Sequence, residues 1–282
     1  MSEEESGERS NTVKGTIEAA TGLVKAIPIY DDMLQPAAKQ LGKTLETVCK
    51  AVNMALAPVS GLVWGYEQFQ AFIDTKVADR LKDIPAEDII TPKPNVAGPA
   101  IEALRYAGHE ESLTDMYANL LAAAMDKSTA DGAHPAFVEI IKQLTPDEAR
   151  LIAYFMRVVP FPLITIRSES KANGGGFDAM KNVSLFGREA SLEVSDLIPS
   201  YLDNLCRLGL IQIPENYSYT GSGVYDELEG SETVVAMKQV IEQHQEERVC
   251  RFDRKAVVVT SLGKQFGSIC VKNHQGTPKN PA

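Results

Sequence analysis

Between Leu41 and Ile73, apolar residues recur in alternating steps of four and three: Leu41, Leu45, Val48, Val52, Ala55, Val59, Leu62, Tyr66, Phe69 and Ile73. An α-helix carries such positions along one side. Kept as a single helix, the stripe would run about 48 Å at about 1.5 Å per residue, and that much apolar surface does not stay in water. Any fold for this chain has to cover it, with other helices of the same chain, with a second molecule, or with a membrane surface. The neighbouring polar positions mix Lys39, Lys43 and Lys50 with Glu46, Glu67 and Asp74. Helices that lie on membranes favour a cationic face, so protein packing is the expected use. All members of the stripe except Ala55 are taken as the candidate interaction surface.

Pro58, close to Ser60, Gly61 and Gly65, falls inside the stripe. A proline there removes a hydrogen bond and clashes with the preceding turn, which predicts a kink or break near Ala57. A full break would let the two halves fold back as a helical hairpin. The 16 residues from Ala51 to Tyr66 carry no charge. A membrane span needs about 20 mostly apolar residues, and this run is short and interrupted, so no transmembrane helix is expected.

The chain has 282 residues, enough for two domains, and a formal charge of −10 from 38 acids and 28 bases. The excess sits early: 21 acids against 13 bases precede Gln143, and 17 against 15 follow it. Neither half has the basic bias on which phosphate binding rests, so nucleic acid is not an expected partner. Cys49, Cys206, Cys250 and Cys270 are far apart and preceded by no secretory signal, which suits reduced thiols and the cytoplasm. The first residues, MSEEESGERS, read as a disordered acidic tail over 1–11.

Helical spacing continues at Thr12–Ile29, at a start near Asp32 and Pro36, at Ala100–Ala107, at Ser112–Asp126 and at Pro135–Leu144. Four prolines between Ile84 and Pro99 predict a stiff extended connection. The next helix start is well marked, with Thr145 as N-cap, Pro146 in the first turn and Glu148 three residues after the cap. Ile152, Phe155, Met156 and Val159 are expected on its inner face. Beyond Pro160 a strand is expected at Leu163–Ile166 and a flexible loop at Ser168–Asn182, which contains Gly174, Gly175 and Gly176. A helix over Ile198–Leu208 ends at Gly209, strands follow at Leu210–Ile213 and Ala256–Val259, and Thr260 caps a last helix with Leu262, Phe266 and Ile269 inward. Helix, strand, helix, strand, strand, helix is the order of a winged-helix module, here with an insertion at about 214–255 that holds an amphipathic helix around Val234, Met237 and Ile241. The expected fold class is mainly α: a helical bundle over 12–144, a winged-helix-like α+β domain over 145–272, and a loose tail over 273–282.

A winged helix invites a DNA-binding reading. Its recognition-type helix, however, exposes Ser200, Asp203, Asn204 and Arg207, a nearly neutral face, and the insertion holds nine acids against five bases. The glycine run lacks the Lys-Ser or Lys-Thr of a phosphate loop, and His109-Glu110-Glu111 lacks a second histidine at zinc-protease spacing. His134 before Pro135 reads as a turn anchor, since no serine or cysteine stands in an activating motif. No catalytic, metal-ligating or cofactor-binding residues are assigned; neither an enzyme nor a small-molecule substrate is expected.

The runs AAKQLGKTLETVCKAVNMALAPVSGLVWGYEQ, EALRYAGHEESLTDMYANLLAAAMDK and HPAFVEIIKQLTPDEARLI resemble the bacterial Abi-alpha (abortive infection alpha) family, formerly a domain of unknown function. The resemblance covers about Ala37–Ile152, and LGLIQI and TSLGKQFG resemble that family's carboxyl end. It implies a helical core and a part in antiviral defence, and transfers no catalytic residues. The expected role is therefore non-enzymatic anti-phage defence of the abortive-infection type, through protein–protein contacts or self-association of the helical domain. The alternatives are a DNA-binding winged-helix regulator and a membrane-perturbing effector.

Overall fold

The computed structural model describes residues 51–55, 70–107, 110–244 and 247–274. The expectations for the acidic tail, the helix at Thr12–Ile29, the start near Asp32, the break at Pro58 and the carboxyl tail beyond His274 lie outside them. The described chain is mostly helical with a small antiparallel sheet.

The segment 51–55 is helical, and helix α1 spans 70–81 with a π-helical turn at Ile73–Val77. Asn53 donates to Asp74 Oδ1 at 3.0 Å, and Gln70 donates to Asn53 Oδ1 at 2.8 Å. A straight helix would hold Asn53 and Asp74 about 31 Å apart, so the two described segments lie side by side and the stripe does not run as one rod.

Helix α2 spans Pro94–Ala107, so Pro99 lies inside a helix and the extended connection ends six residues earlier than its prolines predict. Pro94 fits the first helical position, where no N–H is missed, and burial of Val96, Ala97, Ala100, Ile101 and Ala103 outweighs the hydrogen bond lost at Pro99. Helix α3, Glu111–Met125, is buried on almost every side. Short α4 (Ala136–Ile141) leads to α5 (Pro146–Phe155). Both halves of the α5 capping box form: Thr145 Oγ1 accepts from Glu148 N at 3.2 Å, and Glu148 Oε2 accepts from Thr145 N at 2.7 Å. Ile152 and Phe155 face inward as expected, but the helix stops at Phe155 and Val159 is 45% exposed.

Strand β1 (Pro162–Ser170) is longer than expected, and together with β2 (Gly176–Val183) it takes up ten of the 15 residues of the supposed loop. The glycines build a hairpin turn: Gly174 has φ +69°, Ser170 N donates to Gly175 O, and a Cβ on Gly176 would stand 2.4 Å from Ser168 O. Close backbone approach, not looseness, is their use. After α6 (Phe186–Glu189), helix α7 spans Ile198–Arg207 and ends at Gly209, φ +72°. Strand β3 (Ile211–Gln212) pairs antiparallel with β5 (Val258–Val259). Between them lie α8 (Asp226–Glu229), α9 (Glu232–His244) and β4 (Arg248–Ala256). Strand β4 pairs with β1 from Pro162↔Ala256 to Ser170↔Arg248, giving the order β2-β1-β4. Helix α10 runs Ser261–Phe266 and continues as a π turn, Gly267–Val271. Phe266 and Ile269 are buried, but Leu262 is 40% exposed, because Gly263 is pressed against the Leu210 carbonyl and turns its neighbour outward.

Two apolar clusters result. The first runs from Val52 through α3 and α5 to Cys270 and crosses Leu144, the expected domain boundary. The second lies on one face of β1, where Ile164 and Ile166 meet Tyr225, Leu228, Val234 and Ile241 of the insertion. Leu163, of opposite parity on the strand, belongs to the first.

Candidate functional site

Of the stripe, Val52, Ala55 and Ile73 are buried in the first cluster. Leu41, Leu45, Val48, Val59, Leu62, Tyr66 and Phe69 lie outside the described residues. At its described positions the stripe thus packs within the chain. Met54, beside it, is 47% exposed, and Tyr106 on α2 is 77% exposed.

The recognition-type helix is partly tied down. Asn204 donates to Gln143 O at 3.0 Å and to Glu148 Oε1 at 2.7 Å, and Arg207 donates to Asn204 Oδ1 and Gln143 Oε1. Beside this, Asp147 Oδ1 accepts from Arg150 at 2.7 Å and Glu193 N at 3.0 Å, and Oδ2 from Val194 N at 2.9 Å and the Tyr201 hydroxyl at 3.3 Å. Burial pushes its carboxyl up, but the two backbone N–H groups and Arg150 outweigh it and hold the group below the ordinary carboxylate range. These contacts lock α5 to α7 and leave two of the four exposed-face residues engaged.

A second polar cluster joins α1, α3 and the carboxyl end. Asn119, 1% exposed, accepts from Arg80 and donates to Cys270 O at 3.0 Å, while His274 Nε2 lies 3.1 Å from Asp126 Oδ2. Arg80 and Lys76 both reach Asp115. Burial lowers the His274 pKa and Asp126 opposes that only in part. Cys270 is fully buried, which pushes its thiol well up, and burial also raises Cys206 and Cys250; all three are free. A buried thiol kept protonated is a weak nucleophile, so this cluster is a clamp on the chain end. His134 accepts from Ala136 N at 3.1 Å, as a turn anchor does. Among the described residues no three His, Cys, Asp or Glu side chains gather as a metal site, and no described helix is long and apolar enough to cross a membrane.

What the sequence reading passed over is an open groove of about 620 Å³ between the end of α5, the segment after β3, β5 and α10. Phe155 and Phe161 lie in its floor, exposed Val158, Val159 and Tyr217 in its wall, and Arg157, Lys264 and Lys272 around it. No Asp or Glu is among the described residues that line it. Lys264, Ser268 and Lys272 recur every four residues in the sequence, Lys264 on α10, Ser268 in its π turn and Lys272 just after it; the contribution of Arg157-Val158-Val159 depends on where α5 stops.

The sequence profile of the abortive infection alpha family matches residues 65–270. It reaches the carboxyl half and the insertion, and begins later than Ala37. No curated protein matches the chain. Among solved structures, that of an uncharacterized protein from the hydrocarbon-degrading marine bacterium Alcanivorax borkumensis SK2 is similar at 25% identity over 49% of this chain and 96% of its own, with a TM-score of 0.34.

Proposed function

Because the chain belongs to the abortive infection alpha family, we propose that it serves bacterial defence against phage, of the abortive-infection type, in the cytoplasm and without catalysis of its own. The family match is the observation that carries the reading. Its action is through protein contacts of the helical domain over 12–144, whose exposed Met54 and Tyr106 are the described apolar anchors available to a partner. Self-association is one form such contact can take. The chemistry of the described residues supports a binding role: the free cysteines are held protonated by burial, and the buried histidine is spent on the clamp between α3 and the chain end.

The region over 145–272 we read as winged-helix-like. Helices α5 and α7, the β3–β5 ladder and α10 keep its order except for the first strand: β1 pairs with β2 and β4 and not with the β3–β5 ladder, so the β1–β2 hairpin and 214–255 are additions. Hydrogen bonds to Gln143 and Glu148 occupy Asn204, and one to Gln143 occupies Arg207, which favours protein contact over DNA reading for this half. Phage challenge tests the role: cells carrying the gene are expected to give fewer plaques than cells lacking it for at least some phages. Equal plaque counts and phage yields across a broad panel would refute it.

A further inference from the structure

Arg157, Lys264 and Lys272 make no ion pair with any described residue, although most described cations elsewhere are paired, Lys76, Lys93, Arg150, Arg167 and Arg254 among them. Arg157 only stacks over the Tyr154 ring, at 5.4 Å. Three unpaired cations around a groove lined by no described acid, on a chain of charge −10, call for an anionic occupant. Exposed Val158 and Val159 add that this occupant also brings apolar side chains, which a phosphate backbone does not.

The insertion offers such a surface. Helix α9 buries Val234 and Ile241 against the sheet, yet Val235 and Val240 on its outer side are 41% and 53% exposed. With Ala236, Gln239 and Gln243 they lie on the exposed half of the helix, with Glu232 and Glu242 near its two ends; neither glutamate is in an ion pair, Glu242 Oε1 accepts from Cys250 N at 3.4 Å, and Lys238 is the one base on that side. The two carboxylates stand about 15 Å apart along the helix, while Lys264 lies on α10 and Lys272 just past its π turn. We propose that α9 of one copy docks in the Arg157–Lys264–Lys272 groove of a second copy, with Val235 and Val240 against Val158 and Val159 and the carboxylates on the lysines. The two surfaces differ, so the contact is head-to-tail and builds rings or open chains, not closed dimers. A single helix in a groove buries less than the roughly 800 Å² per partner of a standard interface, so the association is weak and concentration-dependent.

Sedimentation velocity on the full chain, from about 5 to about 200 µM, reads this directly. The wild type is expected to grow beyond a dimer as concentration rises and to fall back at about 0.5 M salt, where screening is strong. K264E/K272E and E232K/E242K, both surface changes checked for folding by circular dichroism, are each expected to weaken association by about tenfold or more. Mixing the two is expected to restore it, because each reversed groove then meets a reversed helix. A monomeric wild type throughout, variants that assemble like the wild type, or a mixture that stays apart would overturn the proposal. So would salt-sensitive binding of a labelled single-stranded DNA that K264E/K272E abolishes without any self-association, which would reassign the groove to nucleic acid. None of these readings involves phage, so the defence role and this contact stand or fall separately.

Discussion

Asp147→Ala is expected to cost about 3–5 kcal/mol of stability, the range for removing one partner of a buried charged network. The carboxylate is 5% exposed and answers two backbone N–H groups, Arg150 and the Tyr201 hydroxyl, so its removal leaves donors from two segments without an acceptor. Urea unfolding followed by circular dichroism measures the loss. The pH dependence has a fixed sign. The folded group titrates below its unfolded value of about 3.9, so its stabilisation is complete above that pH and disappears as pH falls through the lower, folded value. The wild type should therefore lose this increment only in strong acid, and the variant should show a flatter acid limb. A loss under about 1 kcal/mol, as for a surface ion pair, would mean that the carboxylate is solvated.

Phe155→Ala is expected to cost a similar 3–5 kcal/mol by a different mechanism. Its ring meets Phe161 and Phe186 edge-on at 5.0 and 5.2 Å and is 2% exposed, so the truncation leaves a cavity at the join of α5, β1 and α6. Unlike the loss at Asp147, this one should not vary with pH. It should also disturb the groove above it, whose floor Phe155 helps to form. Phe155→Leu keeps most of the volume and is expected to recover much of the stability.

Which parts of this architecture were legible in the sequence follows from the range of the forces that make them. The α5 start was plain because Thr145, Pro146 and Glu148 act on one another within a single turn. Helix α7 and the inner face of α9 were plain because Ile198, Leu202 and Leu205, and Val234 and Ile241, repeat at helical spacing. Pro99 misled, because propensity is local while the burial that keeps α2 going past it is tertiary. The glycine run misled for the opposite reason: its turn forms only once β2 has β1 to pair with, and the register shifts near Ile164 and Ile166 blur the alternation that would reveal a strand. Strand β4, 78 residues after its partner at the nearest, Ser170↔Arg248, has charged residues at most positions and no apolar run to announce it. The clamp of Asn119 on Cys270, 151 residues away, and the groove are long-range in the same sense. Of the stripe, Val52, Ala55 and Ile73 are buried and so are not free for a partner at those points.

The proposed function rests on contact surfaces acting in place of a reactive centre. Efficiency of plating tests this most directly, in cells expressing the wild type, a variant stripped of accessible chemistry (His134→Ala, Cys206→Ser, Cys250→Ser) and a surface variant (Met54→Glu, Tyr106→Glu), each matched for protein level. The first variant is expected to protect as well as the wild type and the second to lose protection. Loss of protection in the stripped variant, with full protection retained in the surface variant, would contradict the account.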